Sequence, residues 1–158
     1  KSVEVMKLFA KYIQAILDGE VNVHNGYMAD FGITQEELDH TPIAQDNRSY
    51  TSYMLSVAYK GGEAEVLTAI FSCAYSYEVI ARRIVAERPD APNHPLYGRW
   101  VRGYITERYT GNNVILKDML ERLTADYTEA QLRELEEIFT ACSRYEASFW
   151  DMAWEERD

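Results

Sequence analysis

A thiol, a phenol and a carboxyl in this sequence have the type and spacing to do chemistry. In "FSCAYSYEVIARR", from Phe71 to Arg83, Cys73 is followed by Tyr77 and Ile80. On a helix those offsets share one face, so thiol and phenol look the same way. A thiolate is a soft nucleophile, and a neighbouring hydroxyl can orient it. The same stretch also reads as a packed core helix whose cysteine is a small, inert hydrophobe.

The carboxyl is Glu146. It falls in the apolar stripe Leu135, Ile138, Cys142, Phe149 and Ala153 of a C-terminal helix. Burial disfavours the ionised form, so its pKa is expected to rise, which suits a proton donor. The alternative is a salt bridge to Arg82, Arg83 or Arg144. Cys142 is a second thiol, one turn before Glu146. Glu20 and His24 are spaced like metal ligands on one helix, but the other histidines, His40 and His94, fall in loops. A dinuclear centre draws ligands from several helices, so no metal site is expected.

The elements that must position these groups are all helical. Val3, Met6, Phe9, Ile13, Ile16 and Leu17 recur at helical spacing, and the helix can continue through Phe31 to a glycine terminator at Gly32. "TQEE" from Thr34 is a capping box opening a short helix. Asp46 or Asn47 can cap the next, which runs to Gly61-Gly62. From Glu63, the positions Val66, Leu67, Ile70, Cys73, Tyr77, Ile80 and Ile84 mark a long helix ending before Pro89. Two shorter helices follow, Leu96 to Tyr104 and Val114 to Leu123, separated by a "TGNN" break. Thr128 with Gln131 caps a last helix through Trp154. No segment alternates as a strand does, and the short loops imply an antiparallel helical bundle.

The totals narrow the function classes. The chain has 158 residues, 47% hydrophobic and 27% charged, as one ordinary domain would. Sixteen basic against 26 acidic residues give a net charge of −10, which would repel nucleic acid and anionic membranes. No apolar run is expected to reach the roughly 20 residues of a membrane span. Two cysteines without a CxxC pattern point to neither a disulfide framework nor zinc, and to a reducing cytoplasm. Aromatics make up 13% of the chain, enough to fill a core and also to line a pocket for flat rings. The "GEAEVL" and "TGNN" glycines are not phosphate-binding loops, since no strand feeds them and no lysine follows.

Taken together, "LDGEVNVHNGYMADFGI" from Leu17, "RSYTSYMLSVAYKGG" from Arg48, "FSCAYSYEVIARRI" from Phe71, "HPLYGRWVRGYI" from His94 and "CSRYEASFWDMAWEE" from Cys142 resemble the TenA family, the thiaminase II or aminopyrimidine aminohydrolases. The resemblance covers nearly the whole chain. It implies an all-α, heme oxygenase-like bundle that binds no heme, usually a homotetramer, with no metal or organic cofactor. The implied activity is hydrolysis of 4-amino-5-aminomethyl-2-methylpyrimidine to hydroxymethylpyrimidine in thiamine salvage, with cleavage of thiamine as a side activity. The expected partner is thus a small aminopyrimidine or thiamine, with neither nucleic acid nor membrane.

By matching motif position, the resemblance makes Cys73 the nucleophile and Glu146 the acid. Tyr50, Tyr77 and Tyr104 become pocket tyrosines, and Phe149 an aromatic wall. Family members begin with helices supplying an aspartate for the pyrimidine amino group and a tyrosine beside the thiol. Nothing in Lys1 to Leu17 matches that segment, so residues 1–158 are expected to form a single helical domain lacking its N-terminal helices. Two other functions stay open: a metal-dependent oxidase on the same scaffold, using Glu20, His24 and Glu78, and a non-catalytic pyrimidine-binding regulatory relative.

Overall fold

The computed structural model describes residues 2–157, and every regular element among them is helical. They fall into two compact units, one up to Ile43 and one from Ala44 onward.

The first unit holds α1 (Val3–Ala15), a π-helical turn (Ile16–Glu20), α2 (Val21–Phe31) and α3 (Gln35–His40). The single helix expected from Val3 to Phe31 is thus interrupted by a π turn. There Asn22 Nδ2 donates to the Asp18 carbonyl at 2.7 Å, a side chain inserted into the backbone ladder. Gly32 ends α2 in the left-handed region, φ 71°, which costs glycine nothing. The Thr34–Glu37 capping box forms as read, and its hydrogen bonds hold the Glu37 carboxyl below the usual range. Of the apolar stripe on α1, Val3, Met6 and Ile13 are exposed.

The second unit is a bundle around α5 (Glu63–Glu87). Packed against it are α4 (Gln45–Lys60), α6 (Gly98–Tyr104), α7 (Glu107–Leu123) and α8 (Glu129–Glu155). Val57, Ala64, Ala69, Leu135, Ile138 and Cys142 form one buried cluster, flanked by Tyr50, Tyr53, Met54 and Leu120. By length and composition α5 could cross a membrane, contrary to the expectation that no run is apolar enough. It is half buried among four other helices, as the central helix of a bundle is.

The deep face of α5 carries Ala64, Leu67, Thr68, Phe71 and Ser72. Of the apolar stripe that announced the helix, Leu67 is fully buried, whereas Val66, Ile70, Cys73, Tyr77, Ile80 and Ile84 are half-buried or exposed. At roughly 100° per residue the two sets lie on opposite sides of the helix. On the stripe's own side the small Ala69 and Ala81 are buried, where they let neighbouring helices approach closely. The thiol and phenol sit at the rim.

Two further expectations are corrected. Ala44 holds the N-cap position of α4 with no side-chain cap, and Asp46 instead accepts a 2.5 Å hydrogen bond from Ser148 Oγ on α8. The "TGNN" stretch lies inside α7, which runs unbroken from Glu107; Asn113 is buried there and bonded to α5, a tertiary gain that outweighs weak helix propensity. Between α5 and α6 the chain turns through a 3₁₀ segment, Ala91–Asn93. A side chain at Gly98 would put Cβ 2.5 Å from the Pro92 carbonyl oxygen, so glycine lets α6 start against that turn. Arg102 Nη1 donates to the same oxygen.

Candidate active site

The site is built in the second unit, where α5 and α8 pack together. Tyr77 Oη donates to Glu146 Oε1 at 2.6 Å. Glu146 is 7% exposed, so this bond answers much of the cost of burying it. Of the alternative arginine partners, Arg82 pairs with Glu78 and Arg83 with Glu87, each along α5, while Arg144 lines a surface hollow on α8. Glu146 therefore meets a phenol at the thiol's end of the bundle.

Cys73 stands half-buried one turn before Tyr77. Burial raises the Tyr77 pKa far above its ordinary value, the Glu146 hydrogen bond and charge add to that, and Cys73 and Tyr104 contribute further. Tyr77 is therefore a neutral hydrogen-bond donor throughout the physiological range. Tyr50 on α4 behaves alike: burial raises its pKa first, then the neighbouring Cys73, Glu146 and Cys142. Its ring stacks on Tyr145 at 5.7 Å, and its buried hydroxyl makes no hydrogen bond of good geometry, with Ser72 beside it. A buried hydroxyl of that kind is available to a polar ligand edge.

Aromatic rings close the other side. Tyr104 on α6 contacts Tyr77 at 4.8 Å, while Trp100 and Trp150 contact it at 5.8 and 6.2 Å. Phe149 is half-buried and edge-on to Trp150 at 6.0 Å, so it joins the cluster at one remove from Tyr77. The structure thus brings Cys73, Tyr77, Glu146, Tyr50 and Tyr104 together and sets Phe149 at the edge.

Sequence reasoning missed Trp100, Trp150, Tyr145 and the α7 residues Tyr109 and Asn113. The tryptophans were within reach, since Trp100 lies one turn before Tyr104 and Trp150 one turn after Glu146. Asn113 was hidden by reading "TGNN" as a break.

Cys142 is fully buried, and burial pushes its thiol pKa up. Glu20 and His24 form an exposed pair at 3.8 Å, and Glu78 is bonded by Arg82 and Asn113. Among the described residues no group of three or more His, Cys, Asp or Glu side chains could hold a metal ion. Two open surface hollows lie away from this site. One, on α8, is lined by Arg133, Glu137 and Arg144, and the other, on α7, by Ile115, Asp118 and Arg122. A soft nucleophile, a buried carboxyl held by a phenol and an aromatic wall are the parts needed to attack and protonate a flat, polar-edged ring.

Comparison with known proteins points the same way. Residues 1–156 match the model of the TENA/THI-4/PQQC family. The chain is 39% identical over 151 residues to an aminopyrimidine aminohydrolase of Helicobacter pylori, covering 96% of this chain and 69% of that protein. It is 34% identical over 154 residues to an aminopyrimidine aminohydrolase of Halalkalibacterium halodurans, covering 98% and 68%. Among solved structures, the TenA homologue of P. horikoshii superposes with a TM-score of 0.83 at 24% identity, over 98% of this chain and 70% of that one. A protein from a Silicibacter species described as a TenA family transcription regulator gives 0.80 at 27% identity, over 96% and 69%. The chain spans about two thirds of the length of each of these relatives.

Proposed function

Because the chain belongs to the TENA/THI-4/PQQC family, we propose that it is an aminopyrimidine aminohydrolase of the thiaminase II type, with Cys73 as nucleophile and Glu146 as proton donor. The observation that carries this reading is the 2.6 Å hydrogen bond from Tyr77 to buried Glu146, one turn from Cys73 and walled by Tyr104. It joins the thiol helix to the acid helix in a chain 39% identical to a protein of that name.

In this mechanism the pyrimidine ring stacks on the aromatic side chains, with its polar edge toward the tyrosine hydroxyls. The Cys73 thiolate adds to a ring carbon while Glu146 gives a proton to a ring nitrogen. The electron pair released into the ring expels the amine, bound in its ammonium form, from the exocyclic methylene as ammonia, which takes up the proton that the attacking water gives up in the next step. Water adds at the methylene, the ring pair expels the thiolate, and the proton returns to Glu146. Aminomethylpyrimidine and water become hydroxymethylpyrimidine and ammonia. Displacement at that carbon is difficult directly; a thiolate that adds and later departs divides it into easier steps.

The assembly that accompanies this reading is the homotetramer implied by the family resemblance, and the compartment is a reducing cytoplasm, where both thiols persist. The test is steady-state ammonia release by the purified chain from 4-amino-5-aminomethyl-2-methylpyrimidine, with thiamine assayed alongside. Turnover of the aminomethylpyrimidine is expected. Saturable binding without ammonia release would favour the non-catalytic, pyrimidine-binding reading instead.

A further inference from the structure

The Ala74 carbonyl of α5, next to Cys73, is held from α7 by two side chains. Tyr109 Oη donates to it at 2.9 Å and Asn113 Nδ2 at 3.1 Å. Asn113 Nδ2 also donates to Glu78 Oε2 at 2.7 Å, so its amide spans one turn of α5, from Ala74 to Glu78. Asn113 is 4% exposed. The Tyr109 ring meets Tyr104 edge-on at 4.9 Å, and Tyr104 lies against Tyr77. One clamp therefore fixes both the backbone beside the thiol and the aromatic wall beside the phenol.

The sequence around the clamp costs helix stability. Gly111, Asn112 and Asn113 are helix-interior residues, and all three are weaker helix formers than alanine. A satisfied buried polar network gives directional contacts that apolar packing does not, and so selects one helix rotation. Ridges of apolar side chains on α5 and α7 could settle in neighbouring registers. The Ala74 carbonyl can meet both donors in only one of them.

We propose that Tyr109 and Asn113 are positioning residues that lock the rotation and register of α5, and so hold Cys73 and Tyr77 at the angle from which the thiol reaches substrate while the phenol holds Glu146. This rests on the hydrolase reading above for its effect on turnover, but not for its effect on the thiol.

The experiment uses the full chain carrying Tyr109→Phe, which removes one hydroxyl and keeps the ring, and Asn113→Asp, which keeps the shape and removes the amide donors. Alkylation by iodoacetamide is followed at Cys73 and Cys142 separately by peptide mass mapping, well below each variant's melting temperature, together with kcat and KM. In both variants kcat should fall roughly ten- to a hundredfold, as a misplaced reacting group does, with little change in KM. Cys73 alkylation should rise severalfold while buried Cys142 stays slow, since global loosening would speed both thiols. Unchanged Cys73 alkylation and kcat in both folded variants, or equal acceleration at the two cysteines, would overturn the proposal. A wild type that releases no ammonia, yet shows the selective change at Cys73 in the variants, would sink the hydrolase reading and leave the clamp standing.

Discussion

The two cysteines occupy opposite kinds of place within one bundle. Cys73 is half-buried at the rim of α5, one turn from Tyr77 and near Tyr50. Cys142 is fully buried on α8, in the cluster of Val57, Ala64, Leu135 and Ile138. Both stand one turn from a group of the candidate site, since Cys142 precedes Glu146 by four residues. The difference is access. A thiolate must meet its substrate, and a thiol with no exposed surface meets none; burial also raises the Cys142 pKa and withholds the reactive form. Closeness to the acid is thus a poor guide to reactivity, and the rim position is a better one.

The sharpest way to break that comparison is to remove each thiol in turn. Cys73→Ser should lower kcat by on the order of 10⁴-fold, because a serine hydroxyl without an activating base is a poor nucleophile and losing the covalent step removes most of the rate. Circular dichroism should show the variant folded. Retention of more than a tenth of wild-type ammonia release would remove Cys73 from the chemistry.

Glu146→Gln comes next in size. The glutamine carbonyl oxygen can still accept from Tyr77, so the 2.6 Å contact and the shape of the site should survive. What disappears is a proton of useful acidity. General acid catalysis is worth about 10²–10⁴ in rate, and kcat should fall within that range while KM changes little. Near-wild-type kcat would reduce Glu146 to an anchor for Tyr77. Glu134→Gln and Glu137→Gln, on exposed turns of α8, should behave as wild type.

Much of this arrangement could be read in the sequence, and what could not has a physical cause. Capping boxes at Thr34 and Thr128 and the breaks at Gly32 and Gly61-Gly62 appeared where expected, because local hydrogen bonding and backbone freedom decide them. The shared face of Cys73 and Tyr77 followed from helical spacing alone. Depth did not. Periodicity finds apolar faces, but α5 is apolar nearly all round, and only its neighbours decide that Leu67 is interior and Ile80 is not. The course of α7 through "TGNN" was likewise illegible, since it depends on bonds from Tyr109 and Asn113 to a carbonyl 35 and 39 residues away. The Tyr77–Glu146 bond spans 69 residues and was not legible at all, since the family resemblance set both residues in one pocket without pairing them.

The smallest expected effect on activity belongs to Cys142→Ser, and it shows most clearly what kind of place the interior is. Turnover should stay within about twofold of wild type, since the fully buried side chain, packed in the core with Ser72 beside it, cannot meet substrate. Stability should fall by about 1–3 kcal/mol, the ordinary cost of a core substitution that buries a hydroxyl in place of a thiol. Its pH dependence follows from the raised thiol pKa. Below the ordinary value, taken as 9.0, the thiol is protonated whether the chain is folded or not, and the folded state keeps its full advantage. Above it the unfolded chain loses the proton first while the folded chain holds it, so wild-type stability declines as pH rises toward the folded pKa. Serine has no such proton to lose. The stability gap between wild type and Cys142→Ser, measured by urea denaturation, should therefore narrow between about pH 8 and pH 10. A gap that widened over that interval would mean that Cys142 ionises more readily folded than unfolded, and the interior would be no barrier to the thiolate.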